Sequence, residues 1–204
     1  MGLREEILST LRCSAAQHIR FSFTSVHGDT VSVDHTSFER VASAIVSGAI
    51  RIVRSTASDD GDASYGGDEA GNPFEVAPLH HRRMQEAIVL HEAVHASFDL
   101  TRSVINRLDN EVAAYIAGTV YLRRTGFPRV RYAGTFEEVA LPAVSSIIHH
   151  GAPTADDLTR IRGALERDPE YHRDIHWGCT VSSNSCYLID RGNGKPYPPF
   201  PAFR

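Results

Sequence analysis

The sequence predicts a protein of the α+β class, with a small mixed sheet in its N-terminal part and a mainly helical C-terminal part. Apolar and polar residues alternate over 19–24, which is typical of a half-buried strand, whereas apolar residues recur at helical spacing over 84–98 and 108–122. The 204 residues, 42% of them hydrophobic, are enough to bury a core. We therefore expect a single domain over 1–204, with its core at about 17–167.

The N-terminal elements follow from local patterns. His27-Gly28-Asp29 is a turn signal between two alternating segments and predicts a hairpin. Ser37 is a candidate N-cap for a helix that Gly48 is well placed to end. The N-terminal elements that we expect are, in chain order, a helix over 3–12, strands over 19–24 and 30–33, a helix from Ser37 to Gly48, a strand over 49–53, a brief strand at 64–65 and a short edge strand at 74–76.

Four helices are expected in the remainder of the chain. Met84, Ile88, Val94 and Phe98 fall on one apolar stripe of the first of them. The residues from 190 to 204 are rich in proline and aromatic residues, so this tail is neither helix nor central strand. The expected helices span about 78–102, 104–124, 136–149 and 155–167.

Composition excludes several classes of protein. A formal net charge of −4, with Lys195 as the only lysine, argues against a nucleic-acid partner. Three cysteines do not form a disulfide framework and suit a reducing compartment. Glu5 and Glu6 stand where a signal peptide would be basic and then apolar, and no apolar run is long enough for a membrane span. We expect a cytoplasmic protein, or one secreted by a system that needs no signal peptide.

The pentapeptide His91-Glu92-Ala93-Val94-His95 matches HExxH, a motif typical of zinc hydrolases. Two imidazoles four residues apart project from the same face of a helix and are close enough to bind one metal ion. The glutamate between them can reach a water on that ion. Both histidines also lie on the apolar stripe of the expected helix, so the motif faces the interior.

Catalytic zinc usually has three protein ligands and a fourth position for water, so a third ligand is needed. Glu111 is the first candidate because it lies on the apolar stripe of the next helix, where an ionised carboxylate is costly unless a cation compensates it. Asp99 is the second candidate; its alternative roles are to orient His95 or to help end the helix. Asp109 is a further candidate for orienting a histidine.

His91-Glu92-x-x-His95 followed by a helical Glu111 resembles the gluzincin arrangement of zincin metallopeptidases. The same residues, with the stretch from Asn110 to Tyr115, also resemble the core of short bacterial metallopeptidase domains found among toxins and secreted effectors. The likeness covers about 63–124. The interval from His95 to Glu111 is shorter than in thermolysin-like enzymes, and the third histidine of metzincins is absent.

The resemblance implies a zincin-like fold and hydrolysis of peptide bonds with Zn²⁺ as cofactor. Glu92 is then the general base that takes a proton from the attacking water and passes it to the leaving amine. The implied partners are a protein or peptide substrate and, for a toxin, a cognate inhibitor or immunity protein. We also expect the short strand at 74–76 to offer an edge on which an extended substrate can bind by strand addition.

A group that steadies the developing oxyanion is also needed, and a phenol or an imidazole can donate to it. Six residues are candidates for this donor, and the sequence does not distinguish among them: Tyr115, Tyr132, His149, His150, His172 and His176. We select Tyr132 and His149 as the predicted donors. Three alternatives to a metallopeptidase stay open. The first is a zinc amidase that acts on peptidoglycan or another non-protein amide, the second is a non-catalytic binding module stabilised by metal, and the third is a pair of hydrogen-bonded core histidines without metal.

Overall fold

The structure, a computed structural model, describes residues 2–54, 63–66, 73–76, 82–169 and 171. It confirms the α+β class, with most of the described residues in helices and the strands in small sheets. Among the described residues, no helix is both long and apolar enough to cross a membrane. The α-helices are α1 (Leu3–Leu11), α2 (Ser14–Gln17), α3 (His35–Ser47), α4 (Arg82–Leu100), α5 (Arg107–Arg124), α6 (Phe136–His150) and α7 (Ala155–Arg167).

The strands form two small sheets in the described residues, where the sequence predicted one. They are β1 (Phe21–Thr24), β2 (Thr30–Val33), β3 (Arg51–Arg54), β4 (Ala63–Tyr65) and β5 (Pro73–Val76). β1 and β2 pair antiparallel as the expected hairpin, with Phe21 opposite Val33. In the second sheet β5 lies in the centre, parallel to β3 and antiparallel to β4.

The expectation that 74–76 forms an edge strand is therefore wrong. β5 has a neighbour on both sides, and β4 is an edge strand of the described sheet. The side chains of Phe74 and Val76 are buried, which suits a central strand. The sequence predicted only a brief strand at 64–65 within a polar stretch. It did not predict that this strand, β4, would pair with β5.

Two helix starts also differ from expectation. Asp34, and not Ser37, is the N-cap of α3; the Asp34 carboxylate accepts from Thr36 N at 2.8 Å, and Ser37 completes the capping box from the third helical position. Gly48 ends α3 as expected, in the left-handed conformation that glycine favours. α5 begins at Arg107 and not at 104, because Asn106 accepts from Asp109 N at 2.8 Å and caps the helix. The expected start of α4 at 78 lies outside the described residues.

The core is organised around α4 and α5, which pack against each other along most of their length. A Cβ atom at Gly118 would lie only 3.2 Å from the carbonyl oxygen of Ala87, so the two backbones approach more closely there than another side chain would permit. Ala113 and Ala114 of α5 are also fully buried. α1 and α3 cover α4, while α6 and α7 cover α5. The paired helices thus form the interior of the molecule.

A buried ion pair fixes the N-terminal end of α5. Asp109 is fully buried, and its Oδ1 accepts from Arg162 of α7 at 2.6 and 2.9 Å. Its other oxygen accepts from Val26 N, in the turn of the β1–β2 hairpin, at 2.8 Å. Arg162 in turn donates to Thr24 O at 3.0 Å. One carboxylate thus joins α5, α7 and the hairpin.

We expect Asp109→Ala to lower the free energy of unfolding by about 3–5 kcal/mol, because it leaves the Arg162 guanidinium without its partner in a largely buried position. Urea denaturation followed by circular dichroism measures this loss. Glu39→Ala is the matched control, since it breaks the exposed pair of Glu39 with Arg12 and should cost less than about 1 kcal/mol. Equal losses in the two variants would show that the buried pair does not anchor α5.

Candidate metal centre

Two helices bring four candidate residues together. α4 carries His91, Glu92 and His95, whose potential ligand atoms all lie within 4.8 Å of one another. α5 carries Glu111, and its Oε2 atom lies 3.4 Å from His91 Nε2 and 3.7 Å from His95 Nε2. The glutamate side chain is 8% exposed. The antiparallel return of the chain therefore places Glu111 against the two histidines, as the sequence predicted.

Two of the distances among these atoms match those of a tetrahedral zinc site. Zinc bonds of about 2.0–2.1 Å to nitrogen and oxygen separate two ligand atoms by about 3.4 Å in tetrahedral geometry. The two separations from Glu111 Oε2 are 3.4 and 3.7 Å. Among the described residues, that oxygen is buried and accepts no hydrogen bond. A buried carboxylate oxygen that faces two imidazole nitrogens without a donor is well suited to a cation.

Asn110 determines which nitrogen of His95 faces Glu111. The Asn110 side-chain oxygen lies 2.8 Å from His95 Nδ1 and can only accept, so Nδ1 carries the proton and donates. Nε2 is therefore the nitrogen of His95 that faces Glu111. Hydrogen bonds of this kind orient metal-ligating histidines and fix their tautomer.

Glu92 is held by the neighbouring sheet. Its Oε2 accepts from Tyr65 N of β4 at 2.9 Å, while its Oε1 lies 3.9 Å from His91 Nε2. The Tyr65 phenol donates to Asp99 Oδ2 at 2.8 Å, which ties the same residue to the C-terminal part of α4. β4 therefore positions the glutamate from outside the helix and leaves Oε1 on the side of the histidines.

Glu111 stays ionised in this environment. Burial acts to raise its pKa, but the positive charge of His95, the close approach of His91 and the charge of Arg107 together lower the pKa to about 2. Burial and positive charge thus act on the pKa in opposite directions, and the positive charge has the larger effect. An ionised carboxylate that is shielded from water is stable only next to positive charge. A carboxylate that remains anionic at every ordinary pH is a competent metal ligand.

A cluster of aromatic rings lies beside His91. The rings of Tyr115 and His91 meet edge to face, with centroids 4.6 Å apart, and Phe136 of α6 packs on Tyr115 at 5.0 Å. The hydroxyl of Tyr171 lies 2.7 Å from that of Tyr115. Burial, with the negative charge of Glu111 next in effect, raises the pKa of Tyr171, and burial also raises the pKa of Tyr115. Both phenols therefore remain protonated and able to donate.

The structure does not bring Tyr132 and His149 to this cluster. Tyr132 is buried against Phe127, just beyond the end of α5, with ring centroids 6.1 Å apart. Glu111 and the end of α5 are separated by about 18 Å along the helix at 1.5 Å per residue. His149 is exposed in the last turn of α6, beside His150. The sequence indicated only that these side chains can donate a hydrogen bond. Their positions depend on the path of the chain after α5, which places both of them away from the cluster.

Other sequence expectations have different outcomes. Asp99 accepts from Tyr65, and Asp109 from Val26 and Arg162, so neither is placed as the orienting partner of a histidine by these contacts. The residue that contacts His95 is Asn110, one position after Asp109. His172 and His176 lie outside the described residues. Sequence reasoning missed Asn110 and Tyr171; the only available signal was that Asn110 is a polar residue beside the buried Glu111.

No family model, curated protein or solved structure gives a significant match to this chain. The resemblance to zincins therefore rests on the motif residues His91, Glu92, His95 and Glu111 alone.

The low pKa of Glu111 predicts a specific pH dependence for the metal-free protein. A carboxylate whose folded-state pKa is about 2, against an ordinary value of 4.5, stabilises the fold above pH 4.5, and this contribution is lost as the pH falls toward 2. We expect the stability advantage of the native protein over Glu111→Gln to shrink by about 1 kcal/mol between about pH 6 and about pH 3.5. Urea denaturation at both values measures it. An advantage that stays constant with pH would contradict this assignment.

Proposed function

We propose that this protein is a zinc-dependent metallopeptidase with a zincin-like fold, in which His91, His95 and Glu111 hold the metal. The observation that carries the proposal is the buried Oε2 of Glu111, which lies 3.4 and 3.7 Å from two imidazole nitrogens and accepts no hydrogen bond from the described residues. A structural hydrogen-bonded core would be expected to satisfy this atom. A cation between the three groups satisfies it directly.

The donor set favours zinc among the common metals. Two imidazole nitrogens and one carboxylate oxygen form a typical catalytic zinc set that leaves one position for a water or substrate, whereas magnesium and calcium prefer oxygen donors alone. When bound, zinc supplies an activated water near neutral pH and polarises the carbonyl of the substrate. The remaining steps belong to side chains of this chain.

Glu92 is the general base in this proposal. Tyr65 N holds one of its carboxylate oxygens, so the other is oriented toward the histidines without freedom to rotate away. There it accepts a proton from the attacking water and then donates that proton to the amine that leaves. The strand thus supplies the orientation that an isolated glutamate on a helix would lack.

Tyr171 and Tyr115 are the donors that we propose for the developing oxyanion. Tyr115 packs against His91, and the hydroxyl of Tyr171 is hydrogen-bonded to that of Tyr115. The raised pKa of Tyr171, caused by burial and by Glu111, keeps the phenol protonated for this role. We propose this pair as oxyanion donors in place of Tyr132 and His149, because the pair lies beside the proposed metal ligands.

An extended peptide is the substrate class that fits the surroundings of Glu92. β4 lies at an edge of its sheet, and the Tyr65 N–H group points away from β5 toward Glu92. A peptide that adds to this edge would run past the catalytic glutamate, so β4 replaces the strand at 74–76 as the proposed docking strand. The partners proposed with this activity are a protein substrate and, for a secreted toxin, a cognate immunity protein.

Replacement of the general base separates an enzyme from a metal-stabilised module. We expect Glu92→Gln to bind one zinc per chain, as the native protein does, and to reduce kcat/KM on an unstructured protein substrate by about 10²–10⁴-fold. Glu86→Gln is the matched control, because Glu86 is a partly buried glutamate on the same helix whose partners are Arg82, Arg83 and the Tyr121 hydroxyl. Zinc content is measured by elemental analysis. Native protein without zinc, or equal activity in both variants, would contradict the proposal.

Loss of the Asn110 contact should weaken metal binding without removing a ligand. We expect Asn110→Ala to raise the Kd for zinc by about 10–100-fold, because His95 loses the partner that fixes its tautomer and orientation. Competition with a chromophoric chelator measures this Kd. Asn106→Ala is the control: it removes the cap of α5 and should lower stability, but it leaves the imidazole contact in place. An unchanged Kd in Asn110→Ala would contradict the role of Asn110 in orienting His95 for metal binding.

A further inference from the structure

A cavity of about 750 Å³ opens between the C-terminal end of α5, the segment after it, α6 and α7. It lies at the far end of α5 from Glu111, about 18 Å away along the helix at 1.5 Å per residue. Neither the proposed metal ligands nor the aromatic cluster lines it. Four arginines from three parts of the chain line it, and all four are exposed: Arg123, Arg129, Arg160 and Arg167.

The positive charge of this cavity is largely unbalanced. Arg129 is paired with Glu138 at 3.0 Å, and the same carboxylate also accepts from Gly134 N. In the described part of the chain, the other three arginines make no ion pair. Asp157 lies near Arg160, but its carboxylate already accepts from the backbone and hydroxyl groups of Thr154.

This concentration of charge stands out because the whole chain has a formal net charge of −4. Three guanidinium groups that make no ion pair with the described residues lie around one concave surface and repel one another, and a bound anion relieves that repulsion. Guanidinium groups also present planar pairs of N–H donors that match the oxygens of a phosphate. The charge therefore selects an anion, and the donor geometry favours a phosphate.

The rest of the lining indicates more than inorganic phosphate. Phe127, Leu141 and Pro142 contribute apolar surface next to the arginines. The volume falls within the range of about 300–1,000 Å³ that is typical of sites for small organic ligands. An organic group can pack on the apolar wall while the phosphates face the arginines.

We propose that this cavity binds a small, soluble organic molecule that carries at least two phosphate groups. One phosphate monoester carries a charge of about −1.5 to −2 at neutral pH, so two of them balance the three unpaired guanidinium groups. The site is separate from the proposed zinc centre.

Isothermal titration calorimetry of the full chain tests the proposal with four probes: adenosine triphosphate, inositol hexakisphosphate, inorganic phosphate, and vesicles that contain a phosphatidylinositol bisphosphate. At about 0.15 M salt we expect at least one soluble polyphosphate to bind saturably and at least about tenfold more tightly than inorganic phosphate. No saturable binding of either polyphosphate up to about 1 mM would overturn the proposal. Binding to vesicles alone would overturn it too, since the ligand would then be a lipid headgroup.

Matched variants locate the binding. Arg123→Gln/Arg160→Gln/Arg167→Gln should weaken polyphosphate binding by at least about tenfold, whereas Arg20→Gln/Arg51→Gln/Arg54→Gln removes the same charge from exposed positions elsewhere and should change it less than about twofold. Ala164→Glu places a carboxylate in the cavity and should weaken binding with the arginines intact. Circular dichroism confirms that each variant is folded. Equal losses in the two triple variants would overturn the site.

Discussion

The close packing of α4 against α5 is the constraint on which the rest of the structure depends. Gly118 allows the backbone of α5 to approach Ala87 of α4. At this separation Glu111 is almost completely buried and lies 3.4 Å from His91. Burial alone disfavours the ionised carboxylate, and the neighbouring positive charge outweighs that effect and lowers the pKa of Glu111 to about 2. The helix packing therefore creates a position where the carboxylate depends on nearby positive charge, which a bound cation would also supply.

Contacts from outside the two helices help to position Glu92, Asn110 and Glu111. β4 fixes Glu92 through a backbone N–H group, and a backbone group has no side-chain freedom to lose. Asp109 joins the first turn of α5 to α7 and to the β1–β2 hairpin, which fixes the helical phase of Asn110 and Glu111. The hairpin lies outside the cluster, yet it contacts Asp109, two residues before Glu111. This explains why an α+β arrangement, and not a simple helical pair, surrounds the cluster.

The sequence predicted those features that depend on one helix at a time. The phase of His91 and His95, the position of Glu111 on an apolar stripe and most helix bounds follow from periodicity and end signals. Features that depend on distant segments were not predictable. Asn110 contacts His95, whereas its neighbour Asp109 accepts from Arg162 of α7. The sequence could not predict this difference because Arg162 is 53 residues away along the chain. The central place of β5 likewise requires β4 as a partner, and Tyr171 reaches the cluster only after the chain has passed through α6 and α7.

The position of charge along α5 links the metal cluster to the arginine-lined cavity. A helix has partial positive charge at its N-terminus and partial negative charge at its C-terminus. α5 carries Asp109 in its first turn and Glu111 shortly after, whereas Arg123 and Arg124 occupy its last turn. Between these ends the buried residues are almost all apolar, from Val112 to Leu122. The helix thus favours acids where a cation is proposed to bind and arginines where an anion is proposed to bind. Because the proposed metal ligand Glu111 and Arg123 of the cavity lie on this one packed helix, a ligand at one end that shifted α5 along its axis would also displace the residue at the other end.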